Sequence, residues 1–213
     1  MLCSWSGGKD SCFALMQAIG QGYTPRALLN VLNEEGKISR SHGIPAAILQ
    51  AQSNAAGLPI HLINSSWDSY ENNFIAALHL LKQQYQLQYA VFGDIDLQAH
   101  RDWEEKVCTD TGLKAFLPLW QKERTYLVNQ MLDNGIETMI VSCNEIMGKV
   151  FLGKILTKEI IKDLEALGID ACGENGEFHT LVLNCPLFKQ RINVAVSNKM
   201  NHEKYWFTEL VLL

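Results

Sequence analysis

The chain has 213 residues, a length that suits one large domain or two small ones. Its 47% hydrophobic and 19% charged residues are ordinary values for a globular protein. The net charge of −5 argues against broad, non-specific nucleic-acid binding, which needs a basic face, but leaves room for a local phosphate pocket. No apolar run of about 18 residues could cross a membrane, and the chain opens without a charged and then apolar leader. We therefore expect a cytoplasmic protein without a membrane partner.

Six cysteines are spread along the chain without the spacing of a metal site. No pair is separated as C-x-x-C, and no group of cysteines and histidines matches a zinc site. This usage predicts a reducing compartment and free, mostly buried thiols. The residues concerned are Cys3, Cys12, Cys108, Cys143, Cys172 and Cys185.

The first half alternates apolar runs of strand length with stretches of helical spacing. Strands are predicted at Leu2–Trp5, Arg26–Asn33, Leu58–Ser66 and Tyr89–Ile95. Helices are predicted at Phe13–Gly22, Pro45–Gly57 and Asp68–Gln86. This alternation predicts a Rossmann-like α/β fold, in which helices cover both faces of a parallel sheet. Ligands bind such sheets beyond the carboxyl ends of the strands.

The second half is more mixed. It begins with a short predicted helix in "DWEEKVCTDTG", followed by helices at Arg124–Asn134 and Thr157–Gly168. Strands are predicted in "ETMIVSC", in "TLVLNCP" and in two runs near the C terminus. We therefore predict a parallel-sheet domain over residues 1–121 and a smaller mixed α/β domain over residues 122–213. The apolar residues Tyr205–Leu213 either close a homodimer or complete a sheet.

The stretch "SGGKDS" lies between the first predicted strand and the first predicted helix. Its adjacent glycines permit a sharp turn and let a ligand approach the backbone. The helix directs its N-terminal end at the same place, where anions are favoured, and the lysine adds positive charge. The serines add hydroxyl donors, and the aspartate suits Mg²⁺ bound to phosphate oxygens. We predict a pyrophosphate pocket, with Asp10 as metal ligand, at Ser6, Gly7, Gly8, Lys9, Asp10 and Ser11.

Two more segments carry candidate residues. Gly93 and Asp94 end a predicted parallel strand, where a nucleotide would bind. Asp94 and Asp96 suit Mg²⁺ or the cap of a strand end equally well.

The other candidate segment is "CGENGEFHTLVLNCPLF", which begins at Cys172. Its Glu174 and Glu177 flank a turn before a strand. Two carboxylates there can bind an amine, accept a proton from attacking ammonia or hold Mg²⁺, and a solvated acidic turn is the alternative.

Both motifs resemble those of known proteins. "SGGKDS" resembles the PP-loop of the ATP pyrophosphatase superfamily, S-G-G-x-D-S, which is a different loop from the Walker sequence. The C-terminal motif is similar to the signature of the diphthine–ammonia ligase family, and "VCTDTGLKAFLPLW" also resembles that family. Asn175 stands where the family more often has glycine. The matching positions are Gly173, Glu174, Gly176, Glu177, Phe178, Thr180, Cys185, Pro186 and Phe188.

The resemblance implies an ATP-dependent ligase of the PP-loop type. ATP, with Mg²⁺, would adenylate a carboxylate with release of pyrophosphate, and ammonia would displace AMP to give an amide. The nitrogen would come from free ammonia or from a partner. The resemblance implies catalytic roles for Lys9, Asp10, Glu174 and Glu177, and a phosphate or substrate contact for His42. It implies a substrate site at Arg101, Glu105, Gly173, Glu174, Gly176, Glu177, Phe178 and Thr180.

The acceptor stays open between protein-bound diphthine and a small carboxylic acid. Arg101 and Glu105 match the family pattern, but Trp103 replaces a second arginine, and Ala99 with His100 replaces Tyr-Gln. Compared with the family pattern, this cluster of side chains is therefore less cationic and more mixed in chemical character. Two alternatives to the ligase are a tRNA-modifying PP-loop enzyme and a nucleotide-binding sensor without turnover. The acidic charge and the missing C-x-x-C spacing count against the first, and the glutamate-bearing motif counts against the second.

Overall fold

The computed structural model describes residues 1–213 and contains two separate sheets. The first is a five-stranded sheet in the order β3-β2-β1-β4-β5, in which all neighbouring strands run parallel. This sheet confirms the predicted Rossmann-like α/β fold. Its strands are β1 (Leu2–Ser4), β2 (Ala27–Leu32), β3 (Ile60–Asn64), β4 (Tyr89–Val91) and β5 (Lys114–Phe116).

Helices cover both faces of the parallel sheet because successive side chains of its strands point to opposite faces. In β1, Leu2 belongs to a core of 14 buried residues that includes α3 and α4. The next residue, Cys3, belongs to a core of 42 buried residues that includes α1 and α2. The helices are α1 (Lys9–Gly20), α2 (Ala46–Ala56), α3 (Tyr70–Tyr85) and α4 (Gln98–Thr111).

Helix α4 begins four residues before its predicted start at Asp102. Its first turn is polar, so the apolar spacing that reveals a helix becomes visible only from Trp103 onward. The end of the helix is visible in the sequence, because glycine commonly ends helices in a left-handed conformation. Gly112 adopts that conformation, with φ 66°.

The second sheet has four antiparallel strands in the order β7-β6-β9-β8. Strand β9 lies between β6 and β8, so the apolar C terminus completes this sheet, and the homodimer stays a prediction. The strands are β6 (Glu137–Asn144), β7 (Phe178–Asn184), β8 (Val194–His202) and β9 (Tyr205–Leu212). The accompanying helices are α5 (Arg124–Asp133) and α6 (Lys158–Ala166).

Side chains cap both of these helices. Glu123 accepts the backbone N–H groups of Thr125 and Tyr126 at 2.9 and 2.6 Å and so caps α5. Thr157, the predicted start of α6, accepts the N–H of Ile160 at 3.3 Å. Both caps satisfy helix N–H groups that have no partner within the helix.

The larger core connects the two sheets. It contains Phe13 of α1 together with Ile140 of β6 and Leu181 of β7, all of them fully buried. Helix α1 packs against β7, which brings the start of β7 close to the loop before α1. The division at residues 121 and 122 stays a prediction. No helix is both long enough and apolar enough to cross a membrane.

Candidate active site

The predicted phosphate loop occupies the turn between β1 and α1. Gly7 has a φ of +86°, and a Cβ on it would lie 2.9 Å from Oε1 of Gln52, so the turn requires glycine. The Ser6 hydroxyl accepts the N–H of Gly8 at 3.2 Å and lies 3.0 Å from the hydroxyl of Ser11. Polar groups thus surround the N-terminal end of α1, where a bound anion is stabilised.

Strand β7, which belongs to the second sheet, forms hydrogen bonds with this loop. The hydroxyl of Thr180 accepts the N–H of Lys9 at 3.1 Å, across 171 residues of sequence. The N–H of Val182 donates to the carbonyl of Gly7 at 2.9 Å. Gln52 donates to the same carbonyl at 3.0 Å and to the carbonyl of Val182 at 2.7 Å. The two sequence motifs therefore form one structural unit.

Lys9 and Asp10 form a buried ion pair beside the loop. Nζ of Lys9 donates to Oδ2 of Asp10 at 2.8 Å and to the carbonyl of Cys172. Burial opposes the charge of Lys9, but Asp10, Cys172 and Glu174 together outweigh it and raise the pKa of the ammonium. Burial likewise raises the pKa of Asp10, and the Lys9 charge offsets part of that effect. Lys9 therefore stays charged within the site.

A cavity of about 420 Å³ opens beyond the carboxyl ends of β1, β2, β3 and β4. Many of the predicted site residues line it: Ser6, Lys9, Asp10, Ser11, His42, Gly93, Asp94, Gly173, Glu174, Phe178 and Thr180. Six others do not, namely Gly7, Gly8, Arg101, Glu105, Gly176 and Glu177.

Partners outside the cavity hold the charged members of the second group. Arg101 pairs with Glu105 at 2.7 Å and stacks on the ring of Trp120, 5.0 Å from its centroid. Glu177 accepts the backbone N–H of Asn175 at 3.0 Å and its side-chain amide at 3.1 Å, so it closes its own turn. The substrate and catalytic roles expected for these residues stay predictions.

Carboxyl groups form one wall of the cavity. Burial opposes ionisation of Asp94, but hydrogen bonds from His100, at 2.7 Å, and from Glu104 lower its pKa. Burial and the Asp94 charge raise the pKa of Glu104 to about 11. Burial and the Asp10 charge raise that of Glu174 to about 8. Asp96 lies elsewhere and binds Arg124 at 2.6 and 2.8 Å.

Two neutral imidazoles lie over the phosphate loop. The rings of His42 and His179 are tilted by 35°, with centroids 4.4 Å apart. A Cβ on Gly8 would lie 2.8 Å from Nε2 of His42, which places this ring directly on the loop. Burial lowers the pKa of both histidines, that of His179 to about 4. Each neutral ring carries one N–H group, which can donate a hydrogen bond to a phosphate oxygen.

Sequence reasoning missed the aromatic wall and the buried Glu104. Tyr70 stacks on Trp67, with centroids 5.6 Å apart, and its ring centroid lies 5.7 Å from that of Trp103. Tyr70 begins α3, and Trp103 and Glu104 lie in the early part of α4. The available signal was their position after β3 and β4, whose carboxyl ends meet at one edge of the sheet.

The site meets the requirements for Mg²⁺ only with help from a ligand. No group of three or more His, Cys, Asp or Glu side chains could hold a metal ion. Mg²⁺ commonly binds one or two carboxylates and takes its other ligands from water and substrate phosphates. Oδ1 of Asp10 fits that pattern, because it is buried and has no hydrogen-bond partner.

The parallel sheet, the glycine loop before α1 and the cavity at the strand ends define an α/β protein of the PP-loop type. The model of the diphthamide synthase N-terminal domain matches residues 1–115, and that of the diphthamide synthase C-terminal domain matches residues 123–212. The chain therefore belongs to the diphthamide synthase family.

The relatives that are similar to this chain in sequence share one enzyme name. The chain is 29% identical to the diphthine–ammonia ligase of Homo sapiens, over 98% of this chain and 87% of that protein. It is 32% identical to the enzyme of that name from Schizosaccharomyces pombe, over 92% of this chain, and spans 36% of that relative's length. A predicted subunit of tRNA methyltransferase from Methanocaldococcus jannaschii DSM covers 87% of the chain at 16% identity. Its TM-score of 0.46 is too low to indicate an activity.

Proposed function

We propose that the chain is an AMP-forming ligase that uses ATP to join ammonia to the carboxylate of an acceptor. One observation supports this function above all: Thr180 and Val182 hydrogen-bond to the loop at Lys9 and Gly7. A phosphate-binding loop and an acidic motif thereby face one cavity, as a reaction of a nucleotide with an amine donor requires. The names of the relatives support diphthine as the acceptor, and a small carboxylic acid is the alternative.

In the first step, a carboxylate oxygen of the acceptor attacks the α-phosphorus of ATP. The bond from that phosphorus to the oxygen bridging to the β-phosphate breaks, and pyrophosphate leaves with the electron pair. Lys9 and the N-terminal end of α1 stabilise the charge that develops on pyrophosphate. Mg²⁺ held by Asp10 and the phosphates would supply further positive charge. Ser6, Ser11 and His42 orient the phosphates within the cavity.

In the second step, ammonia attacks the acyl carbon of the adenylate, the nitrogen loses a proton, and AMP leaves with its oxygen. Glu174 lines the cavity and accepts that proton. Burial is the main reason why the pKa of Glu174 is raised to about 8, and this pKa lets the carboxyl group exchange protons near neutral pH. The surrounding cavity positions the reactants and limits the access of water to the adenylate.

The test is to identify the nucleotide products. The protein is incubated with ATP, Mg²⁺, ammonium and either diphthine-bearing protein or a set of small carboxylic acids. We expect AMP and pyrophosphate in equal amounts, dependent on an acceptor. Formation of ADP and phosphate would contradict the proposed function.

Variants connect the reaction to the cavity. Asp10→Asn and Glu174→Gln should each lower AMP formation by about a hundredfold. Asp163→Asn is the matched control, because Asp163 lies exposed on α6 and should leave the rate unchanged. Equal rates in all three variants would exclude the roles given to Asp10 and Glu174.

A further inference from the structure

The guanidinium of Arg124 connects two loops that belong to different sheets. Its Nε and Nη2 donate to the two carboxylate oxygens of Asp96 at 2.8 and 2.6 Å, in the loop that follows β4. Its Nη1 donates to Oδ2 of Asp170 at 2.9 Å, in the segment that leads to β7. The planar fork of arginine suits such a bridge, because its N–H groups have fixed directions. One side chain thus holds the two loops together.

Asp170 organises the turn that carries Glu174. Its Oδ1 accepts the backbone N–H of Cys172 at 3.1 Å, and its Oδ2 accepts that of Glu174 at 2.7 Å. The Asp170 side chain is only 9% exposed, and the same Oδ2 receives the bond from Arg124. The Cys172 thiol also donates to the backbone carbonyl of Arg124 at 3.1 Å. The position of Glu174 therefore depends on Asp170 and, through Asp170, on Arg124.

Asp96 attaches this turn to the edge of the parallel sheet where the cavity opens. The same loop carries Gly93 and Asp94, which line the cavity. The hydrogen bond from Arg124 lowers the pKa of Asp96, so the carboxylate stays ionised as a partner of the guanidinium. Arg124 and Asp96 do not line the cavity themselves. Their effect on the reactants is therefore indirect.

We propose that Arg124 is a positioning residue for Glu174 and acts through Asp170. Its pairing with Asp96 ties the Glu174 turn to the loop after β4. The role in catalysis rests on the proposed function, because Glu174 is the proton acceptor of its second step. The bridge itself is a property of the fold and can be measured without turnover.

Arg124→Met removes the guanidinium and keeps an unbranched side chain. Hydrogen exchange at the N–H groups of Cys172 and Glu174, measured by NMR on the full chain, should become faster. In the product assay, kcat/KM for ammonium should fall by at least about tenfold, since the proton acceptor is misplaced. The Kd for ATP should rise by less than about threefold, because the phosphate loop keeps its bonds to β7. Arg191→Met is the control, since Arg191 pairs with Glu137 at 2.6 Å outside the cavity.

Two further variants test the bridge. Arg124→Lys keeps the charge without the planar fork, so it should recover only part of the lost rate, and full recovery would overturn the bridge. Asp96→Asn changes an exposed carboxylate and leaves Asp170 paired, so it serves even if Arg124→Met does not fold. It should lower kcat/KM for ammonium by about threefold, but have no effect in the Arg124→Met background. Additive effects of the two changes would overturn the bridge.

Exchange and kinetics together separate the bridge from the reaction. Faster exchange in Arg124→Met, in a chain that forms no AMP with any acceptor, would refute the proposed function and leave the bridge standing. Unchanged exchange in a chain that forms AMP would overturn the bridge and leave the proposed function. Faster exchange with an unchanged kcat/KM would show that Arg124 serves the fold alone, and would overturn the positioning role.

Discussion

The backbone N–H of Lys9 donates to the hydroxyl of Thr180 at 3.1 Å, so a strand of the second sheet completes the phosphate loop of the first. Both residues are buried, although both contribute to the lining of the cavity. The anion-binding end of α1 is therefore fixed in part by a residue near the C terminus. This relationship makes the loop sensitive to changes far away in the sequence.

Thr180→Val should weaken nucleotide binding and stability together. The substitution keeps the shape of the side chain but leaves the N–H of Lys9 without an acceptor, which costs about 1–3 kcal/mol of unfolding free energy. Urea unfolding and calorimetric ATP titration measure the two effects. Thr180→Ser restores the hydroxyl and should recover most of both. A Thr180→Val protein with wild-type affinity for ATP would show that the contact has no part in ordering the loop.

Gly93→Ala should impair turnover because the start of α1 has no room for a methyl group. A Cβ on Gly93 would lie 2.7 Å from the backbone N of Ser11 and 2.8 Å from the carbonyl carbon of Asp10. The helix start must shift, and we expect about a hundredfold lower AMP formation. Gly20→Ala is the control, since no atom lies within 4 Å of its Cβ. That change should stabilise the protein by up to about 1 kcal/mol and keep the rate.

Gln52→Leu should destabilise the contact between the two sheets. Gln52 is fully buried and donates to the carbonyls of Gly7 and Val182, and its Oε1 accepts from the indole of Trp5 at 3.0 Å. Leucine removes all three bonds, so the unfolding free energy should fall by about 2 kcal/mol or more. Gln50→Leu, at an exposed position of the same helix, should change it little. Equal denaturant midpoints would contradict this role of Gln52.

Glu174 should make stability fall as pH rises. Burial, with the nearby Asp10 charge, raises its pKa from 4.5 to about 8. Between these values the folded state holds a proton that the unfolded state has lost, so its contribution is complete below 4.5 and is lost as pH rises through 8. In Glu174→Gln this loss disappears, and the variant should gain stability over the wild type with rising pH. Unfolding midpoints across that range test it, with the exposed Glu209→Gln as control.

Local patterns predicted the loop and many helix ends, whereas the acidic and aromatic wall depends on the sheet order. Gly7 and Thr157 act through the backbone next to them, so their roles were visible in the sequence. Glu104 and Glu105 are neighbours in an acidic stretch, yet the turn of α4 buries the first and exposes the second. The contact of His42 with His179 depends on the packing of β7 against α1, which no local pattern shows.

The core of 42 residues that joins the sheets also constrains how the protein moves. A hinge opening between the two sheets would break the hydrogen bonds of Thr180 with Lys9 and of Val182 with Gly7. It would therefore disrupt the phosphate loop in every catalytic cycle. Exposing the apolar core between the sheets would cost free energy, which disfavours hinge opening as the route for substrate entry. We therefore expect substrates to enter and leave through the mouth of the cavity, with the motions of turnover in the loops around that mouth.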